Sequence, residues 1–183
     1  CDHLALLYPN GDPDLSFQAR AGADDVIRCC SFDQLGRIVV GGEFFSYQGA
    51  YRGHVARLNA NGSLDQNFTT DWYLDAAVDA VLPLDDVGGT KVVIGGAFSH
   101  CAGAERNGLA ELNYDGSFIT TPPLHPPSPG SWVHDLYPHT NPDGVVDGYH
   151  FVVNDVLCEV FLGAGGGNTT LSTAQGGGVA GGV

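Results

Sequence analysis

Two stretches of this chain repeat almost the same eight residues. RIVVGGEF occupies residues 37–44 and KVVIGGAF occupies residues 91–98, so the second copy begins 54 positions after the first. A weaker third copy, HFVVNDV, occupies residues 150–156, with Asn154 and Asp155 in place of the glycine pair. Self-similarity at a fixed spacing is the signature of a repeat architecture, which excludes most single-core folds.

Each copy is expected to form a strand that is buried on both faces. Valine and isoleucine fill successive positions, so both faces of the strand are apolar, as expected for a strand between two stacked sheets. The glycine pairs, Gly41 and Gly42 in one copy and Gly95 and Gly96 in the other, then end the strand. We interpret these four glycines as structural positions that permit a bulge or a close backbone approach.

Two further elements recur with a similar spacing. The first lies at VIRCCSF (26–32), VDAVLPL (78–84) and VHDLYPH (133–139). The second alternates around Asn-Gly or Asp-Gly, at residues 4–17, 55–68 and 109–121. Alternation on both sides of such a pair predicts a β-hairpin with a type I′ turn, in which both central residues have positive φ.

The repeated unit therefore spans about 53 residues and contains four short antiparallel strands. This pattern predicts an all-β, β-propeller-like fold with about three units. Residues 1–121 would hold two well-matched units and a partial N-terminal one, and residues 132–160 a degenerate third unit. The proline-rich residues 122–131 would be a linker or loop, and the glycine-rich residues 161–183 a tail or linker.

The best-matched unit resembles a known repeat family. GRIVVGGEF (36–44) followed by GHVARLNANGSLDQNF (53–68) resembles the delta-60 repeat, a β-propeller-type repeat of bacterial surface or phage proteins. The resemblance covers residues 3–121 well and residues 122–160 weakly. It implies a propeller-like scaffold in large, surface-exposed proteins, and it implies no catalytic residue.

The start of the chain and its charge indicate which partners to expect. The chain contains no methionine and begins in the middle of a unit, and three units are too few to close a propeller. We therefore expect further blades in a longer parent chain, or self-association into an oligomer or fibre. A net charge of −14 disfavours nucleic acid and anionic membrane surfaces as partners, and no segment is apolar enough to span a membrane.

One segment suggests a ligand site. TTDWYLDAAVD (69–79) groups two aromatic residues with three aspartates, and we consider Asp71, Trp72 and Asp75 candidate sugar-binding residues. Trp132 is a further aromatic candidate. The alternative interpretation is a connection between blades with aromatic residues at its rim.

Calcium is the only cofactor that the sequence suggests. NPDGVVDG (141–148) supplies Asn141, Asp143 and Asp147, and NGDPD (10–14) supplies further oxygens, which hard cations prefer. Neither segment has the acidic spacing of a full calcium loop. In the alternative interpretation, these are turns whose side chains accept hydrogen bonds from their own backbone, and no cofactor binds.

The five cysteines do not indicate a zinc site, because no CxxC spacing occurs. Cys29 and Cys30 align with apolar positions and are expected in the core. Either Cys101 or Cys158 could take part in a disulfide in an oxidising compartment, although the odd number of cysteines leaves one thiol over. His134 and Asp135 are adjacent on a strand, so their side chains should point to opposite faces and not form a catalytic dyad.

No catalytic motif is present in the sequence. We therefore expect a non-enzymatic structural or adhesive protein of a fibre, filament or tail appendage at an extracellular, cell or virion surface. The alternative is a secreted carbohydrate-binding or carbohydrate-active propeller that recognises glycans. A lipoprotein anchored through Cys1 is a third hypothesis.

Overall fold

The structure is a computed structural model that describes residues 4–18, 22–70, 72–86, 89–120, 129–153, 156–162 and 169–173. None of these residues lies in a helix, so the described part of the chain is all-β, as predicted. Accordingly, it contains no helix long and apolar enough to cross a membrane.

The strands follow one another along the chain in three groups. The first group is β1 (Ile27–Phe32), β2 (Ile38–Gly42), β3 (Ser46–Tyr47), β4 (Ala50–Tyr51) and β5 (Val55–Leu58). The second is β6 (Val78–Asp86), β7 (Gly89–Gly96), β8 (His100–Cys101), β9 (Ala104–Glu105) and β10 (Leu109–Leu112). The third is β11 (Val133–Thr140), β12 (Val146–Val153), β13 (Val156–Leu162) and β14 (Thr169–Thr173).

Each group builds one antiparallel sheet. The first sheet has the order β1-β2-β5, the second β6-β7-β10 and the third β11-β12-β13-β14. In the first two sheets, the chain between the second and third strands forms a separate two-stranded ribbon, β3-β4 in the first and β8-β9 in the second. The fourth strand of these sheets is a single bridge, Leu58 with Leu64 and Leu112 with Phe118. The structure therefore has the propeller-like repeats that the sequence predicts.

Neighbouring sheets stack face to face through two apolar joints. In the first joint, Val39 and Val55 of the first sheet pack in one cluster with Val78 and Val81 of the second. In the second joint, the second and third sheets share another cluster, which includes Leu82, Val93, Leu136, Tyr149 and Phe151. The first strands of adjacent sheets also contact each other, so β1, β6 and β11 form the inner edge of the stack.

The middle strand of the first sheet is buried on both faces. Val39 faces the first joint, whereas Ile38 and Val40 belong to a third cluster on the opposite face, formed with Phe17 and Leu64. All five residues of β2 are buried. This confirms the interpretation of the doubly apolar sequence as a strand between two layers.

The glycine pairs are required by space at the joints. A Cβ atom on Gly41 would lie 2.6 Å from a methyl carbon of Val78, and one on Gly95 would lie 2.7 Å from Val133. A Cβ atom on Gly42 would lie 2.1 Å from a backbone carbonyl oxygen, and one on Gly96 would lie 2.2 Å from another. The first glycine of each pair thus lets a valine of the next sheet pack closely. The second lets the backbone just before the first strand of its own sheet pass close by.

The third sheet has no glycine pair, and its equivalents are not Asn154 and Asp155, as the sequence alignment suggested. The register pairs Ile27 with Gly42, Val78 with Gly96, and Val133 with Val153. Val152 and Val153 therefore stand where the other sheets have glycine, and residues 154 and 155 lie outside the described residues.

The first strands are also aligned differently from the sequence comparison. The register pairs Ile27, not Val26, in the same way as Val78 and Val133. A bulge follows each of these residues, because the pairing shifts by one residue in all three sheets. An irregularity of one residue inverts the in–out pattern, and the sequence comparison could not reveal it.

The hairpin turns differ from the type I′ expectation. Asn59 and Ser63 close the first loop through Asn59 N–H to Ser63 O at 2.8 Å, and Gly62 N–H binds Asn59 O at 2.8 Å. Gly62 has a φ of 82°, whereas Asn61 is not among the residues with positive φ. This is a three-residue loop with glycine in the left-handed region, not a two-residue turn.

The sheet boundary at the C-terminal end needs correction. Residues up to Leu162, and then Thr169–Thr173, pair within the third sheet, so its fourth strand comes from the stretch expected to be a tail. Three threonines, a residue type that favours strands, give this short segment strand character despite the glycines around it. Of the expected linker 122–131, residues 122–128 lie outside the described residues.

Candidate functional site: the outer faces of the stack

The outer face of the first sheet carries exposed apolar side chains. On β1, Cys29 packs against the first joint, so the alternating residues Cys30 and Phe32 point away from it. Cys30 is exposed, and Phe32 is 63% exposed. The register places Cys30 at the same position as Val81 and Leu136, which are only 8% and 9% exposed. A position that is buried in both joints is therefore uncovered here.

The outer face of the third sheet has a different chemistry. His150 of the third sheet is equivalent in register to Val39 of the first and Val93 of the second. Its partner on the neighbouring strand is Tyr137. Val39 and Val93 are fully buried, but His150 is only half-buried and Tyr137 is exposed. One end of the stack is therefore apolar, and the other is polar and aromatic.

The structure does not bring the predicted ligand residues together. Trp72 is 8% exposed and belongs to the first joint, where its indole N–H donates to the Gly116 carbonyl oxygen at 2.7 Å. Its ring is therefore buried in the joint, which favours a structural role for Trp72. Asp71 lies outside the described residues. The alternative interpretation, a connection between blades, agrees with this geometry.

Asp75 organises the loop that follows the glycine pair. Its carboxylate accepts the backbone N–H groups of Ser99 and His100 at 2.8 and 3.0 Å. Asp24 accepts the N–H groups of Phe45 and Ser46 in the equivalent loop, each at 2.9 Å. Burial raises the pKa of Asp75, but the hydrogen bonds from Ser99 and His100 outweigh it and lower the pKa to about 2. Asp75 is therefore a structural residue of the repeat.

The Asp75–Ser99–His100 group does not have the geometry of a catalytic triad. The Ser99 hydroxyl donates directly to Asp75 and also lies 3.1 Å from His100 Nδ1. Asp75 lies 3.2 Å from the same His100 nitrogen. A triad needs the serine and the carboxylate on different ring nitrogens, so that the imidazole can relay a proton between them.

Two of the three calcium candidates, Asn141 and Asp147, have side-chain oxygens that are used within the fold. Asn141 Oδ1 accepts the backbone N–H groups of Asp143 and Val145, each at 3.0 Å. Asp147 lies 2.6 Å from His139 Nδ1. In the described ranges, no group of three histidine, cysteine, aspartate or glutamate side chains is placed to hold a metal ion. Asn10 likewise accepts the N–H group of Asp12, at 3.1 Å.

The described cysteines are not disulfide-bonded. Cys29, Cys30, Cys101 and Cys158 are all free thiols. Burial raises the pKa of Cys29 and of Cys101 to about 12, so both behave as apolar core residues. The core prediction is wrong for Cys30, because its position faces the outer side of the first sheet, where no neighbouring sheet covers β1.

Sequence analysis missed a buried charged network in the first joint. Arg57 is fully buried, donates to Asp65 at 2.8 Å, and donates to the Tyr114 backbone oxygen of the next unit at 2.7 Å. Its guanidinium also lies 4.7 Å from the centres of the Phe68 and Tyr114 rings. The only available signal was that an arginine occupies a position of β5 (VARL) where a buried strand would normally have an apolar residue.

The second joint carries the opposite charge at the same position. Arg57 pairs with Val39 and Glu111 pairs with Val93, so the two are equivalent. Glu111 accepts a hydrogen bond from the hydroxyl of Tyr149 in the third sheet, at 3.2 Å. Burial is the main cause that raises the pKa of Glu111, against the opposing effects of Tyr149 and Lys91.

Comparison with protein families agrees with this geometry. A family model described as "Domain of unknown function (DUF5122) beta-propeller" matches residues 36–68 and 91–118. Each match runs from the middle strand of a sheet, through the glycine pair, to the bridge after the hairpin loop. No curated protein and no solved structure matches the chain. The two matched segments and the stacked sheets together show β-propeller-like repeats.

Proposed function

We propose that this β-propeller repeat protein is a non-enzymatic structural and adhesive component of an extracellular or virion surface assembly. The observation that carries the proposal is the uncovered part of the outer face of the first sheet, at β1, beside the buried cluster that Phe17 forms with Ile38 and Val40. Cys30 is exposed there, whereas Val81 and Leu136 are buried at the same position of the inner joints. A face built like a joint is suited to receive another sheet.

A second copy of the chain is the partner that we propose for this face. Exposed apolar side chains on an unpaired face favour burial against another apolar surface. The excess of acidic groups would repel nucleic acid and anionic lipid, which leaves protein surfaces and neutral ligands as partners. The surface location is supported by the resemblance to repeat proteins of bacterial surfaces and phages.

Native mass spectrometry over a range of protein concentrations tests self-association. We expect multiples of the 19.1 kDa chain that dissociate on dilution, and electron microscopy should then show pairs or filaments. Phe32→Asp should abolish the multimers, because it places a charge in the contact. Tyr73→Asp is the matched control, because Tyr73 is 58% exposed and belongs to the connection between the first two sheets.

Tyr137→Asp determines the kind of assembly. If only Phe32→Asp dissociates the multimer, two first sheets pair around a two-fold axis. If Tyr137→Asp has the same effect, the contact is head-to-tail and can form a filament. A chain that stays at 19.1 kDa at every concentration overturns self-association and favours further blades of a longer parent as the covering sheet.

A further inference from the structure

The three bulges of the inner edge place one polar residue each at the same position. The pairing skips Arg28 in the first sheet, Asp79 in the second and His134 in the third. The bulge itself is common to all sheets, but its residue is a cation, an anion and an imidazole in turn. The scaffold therefore does not determine the side chain at this position.

These residues are linked across the sheets by direct contacts. Arg28 Nη1 donates to Asp79 Oδ1 at 2.8 Å, and the indole N–H of Trp132 donates to Asp79 Oδ2 at 2.7 Å. Arg28 Nε donates to Glu43 Oε1 at 3.0 Å. The Trp132 and His134 rings lie with their centres 4.0 Å apart. We call Arg28, Glu43, Asp79, Trp132 and His134 the bulge cluster.

The bulge cluster is open to solvent and keeps hydrogen-bonding capacity. The side chains of Arg28 and Glu43 are 40% and 41% exposed, and Trp132 is 42% exposed. Three of the five N–H groups of Arg28 bind Glu43 and Asp79, and both bonds to Glu43 end on Oε1. Guanidinium donors and a carboxylate oxygen therefore remain beside an exposed indole.

This combination indicates a neutral sugar as the ligand. An exposed aromatic ring packs against the apolar face of a pyranose, while planar carboxylate and guanidinium groups bind its hydroxyls. The one arginine and two carboxylates sum to a negative charge, and the whole chain carries −14, so acidic glycans would be repelled. The contrast with Trp72 is direct, because that indole is buried in the first joint.

We propose that the bulge cluster is a binding site for neutral glycans, with Trp132 as the stacking platform, Arg28 and Glu43 as the hydroxyl partners, and Asp79 as the residue that positions Arg28 and Trp132. This inference goes beyond self-association, because the cluster lies on the inner edge and not on the outer faces. The two proposals are independent: the chain could bind glycans without self-associating, or self-associate without binding glycans.

Binding is tested with maltotriose, cellotriose and chitotriose as neutral probes and a sialylated trisaccharide as the acidic one. Isothermal titration should detect at least one neutral trisaccharide and not the sialylated one. The bound sugar should also shield Trp132 from quenching by acrylamide. Trp132→Ala should weaken binding about tenfold or more, the expected effect of losing a stacked ring.

Two further variants separate this site from a change in folding or assembly. Asp79→Asn retains the shape of the side chain and should also weaken binding, because it removes the charge that holds Arg28 in place. Tyr73→Ala and Phe32→Asp should bind like the wild type. The proposal is overturned if no neutral trisaccharide binds, if the sialylated one binds better, or if Trp132→Ala binds unchanged.

Discussion

The two joints of the stack carry opposite charges at one equivalent position, where Arg57 is fully buried and Glu111 is half-buried. In the first joint, Arg57 is neutralised by Asp65 and covered by the rings of Phe68 and Tyr114. In the second, Glu111 has a tyrosine hydroxyl from the next sheet as its hydrogen-bond donor. The repeat thus fixes which position is buried, and the neighbouring unit determines how a charge is tolerated there. The two joints should differ in stability and in pH dependence.

Replacing Arg57 should give the largest difference in stability between the two joints. Arg57→Ala removes the close ion pair of the buried Asp65, leaving only Arg37 at 3.9 Å, and removes the guanidinium beside Phe68 and Tyr114, which together should reduce the free energy of unfolding by about 3 kcal/mol. Glu111→Ala removes one hydrogen bond and should cost only about 1 kcal/mol. Urea denaturation followed by circular dichroism measures both. Equal losses would show that the buried ion pair does not distinguish the joints.

The double variant Arg57→Met with Asp65→Leu serves as the control for the first joint. It removes both charges and keeps apolar volume, so it should recover most of the stability lost in Arg57→Ala. If it remains as unstable as the single variant, the loss arises from packing on Tyr114 and not from the weakened ion pairing of Asp65.

Glycine substitutions should affect both joints by similar amounts. Gly41→Ala and Gly95→Ala place a methyl group 2.6 and 2.7 Å from valine methyl carbons of the next sheet. Each should cost about 1–3 kcal/mol, the usual effect of overpacking. Thermal unfolding by differential scanning fluorimetry measures the loss. Gly103→Ala is the control for added bulk, because open space surrounds it, although its φ of 77° will add some strain.

Glu111→Gln should reveal the pH dependence of the second joint. Burial raises the pKa of Glu111 in the folded state, so its stabilising contribution is present below the unfolded-state pKa and is lost as pH rises through the folded one. Relative to the wild type, Glu111→Gln should therefore gain stability as pH rises above about 4. Unfolding free energies from pH 4 to 8 test this, with the exposed Glu105→Gln as control. A pH-independent difference would contradict it.

Asp75→Asn should give the smallest effect, with the opposite pH trend. The native pKa is about 2, below its usual 3.8, so the stability that the carboxylate contributes is present above the unfolded value and is lost as pH falls toward 2. We expect a loss of about 1 kcal/mol at neutral pH, which shrinks between pH 4 and 2. Asp24→Asn is the matched comparison in the first unit, and thermal melts over this range measure both.

The sequence predicted the fold because its strongest signals are tied to geometry. A strand that is apolar on both faces predicts packing on both sides, and the glycine pair indicates a close approach of another segment. The structure shows Gly41 and Gly95 at the joints. The repeat spacing then gave the stacking of sheets. These inferences depend on patterns shared by the units, which a single chain displays directly.

The candidate sites were less accessible because they depend on departures from the pattern. One skipped residue in each first strand concealed the alignment of Arg28, Asp79 and His134, and Cys30 is exposed because no sheet covers a position that is buried in the two joints. Trp72 looked like a surface aromatic because aspartates surround it, although its indole is buried. Composition cannot distinguish an aspartate that holds a loop from one that binds a ligand.

The sequential order of the sheets has a consequence for biosynthesis. All pairs of the first sheet lie within residues 27–64, those of the second within 78–118, and those of the third within 133–173. Each sheet can therefore form as soon as its own stretch leaves the ribosome, but its joint face stays bare until the next stretch is made. At about 5–20 residues per second, that interval lasts roughly 3–10 seconds. During translation, the apolar faces that later hold the stack together are the surfaces that a chaperone would need to shield.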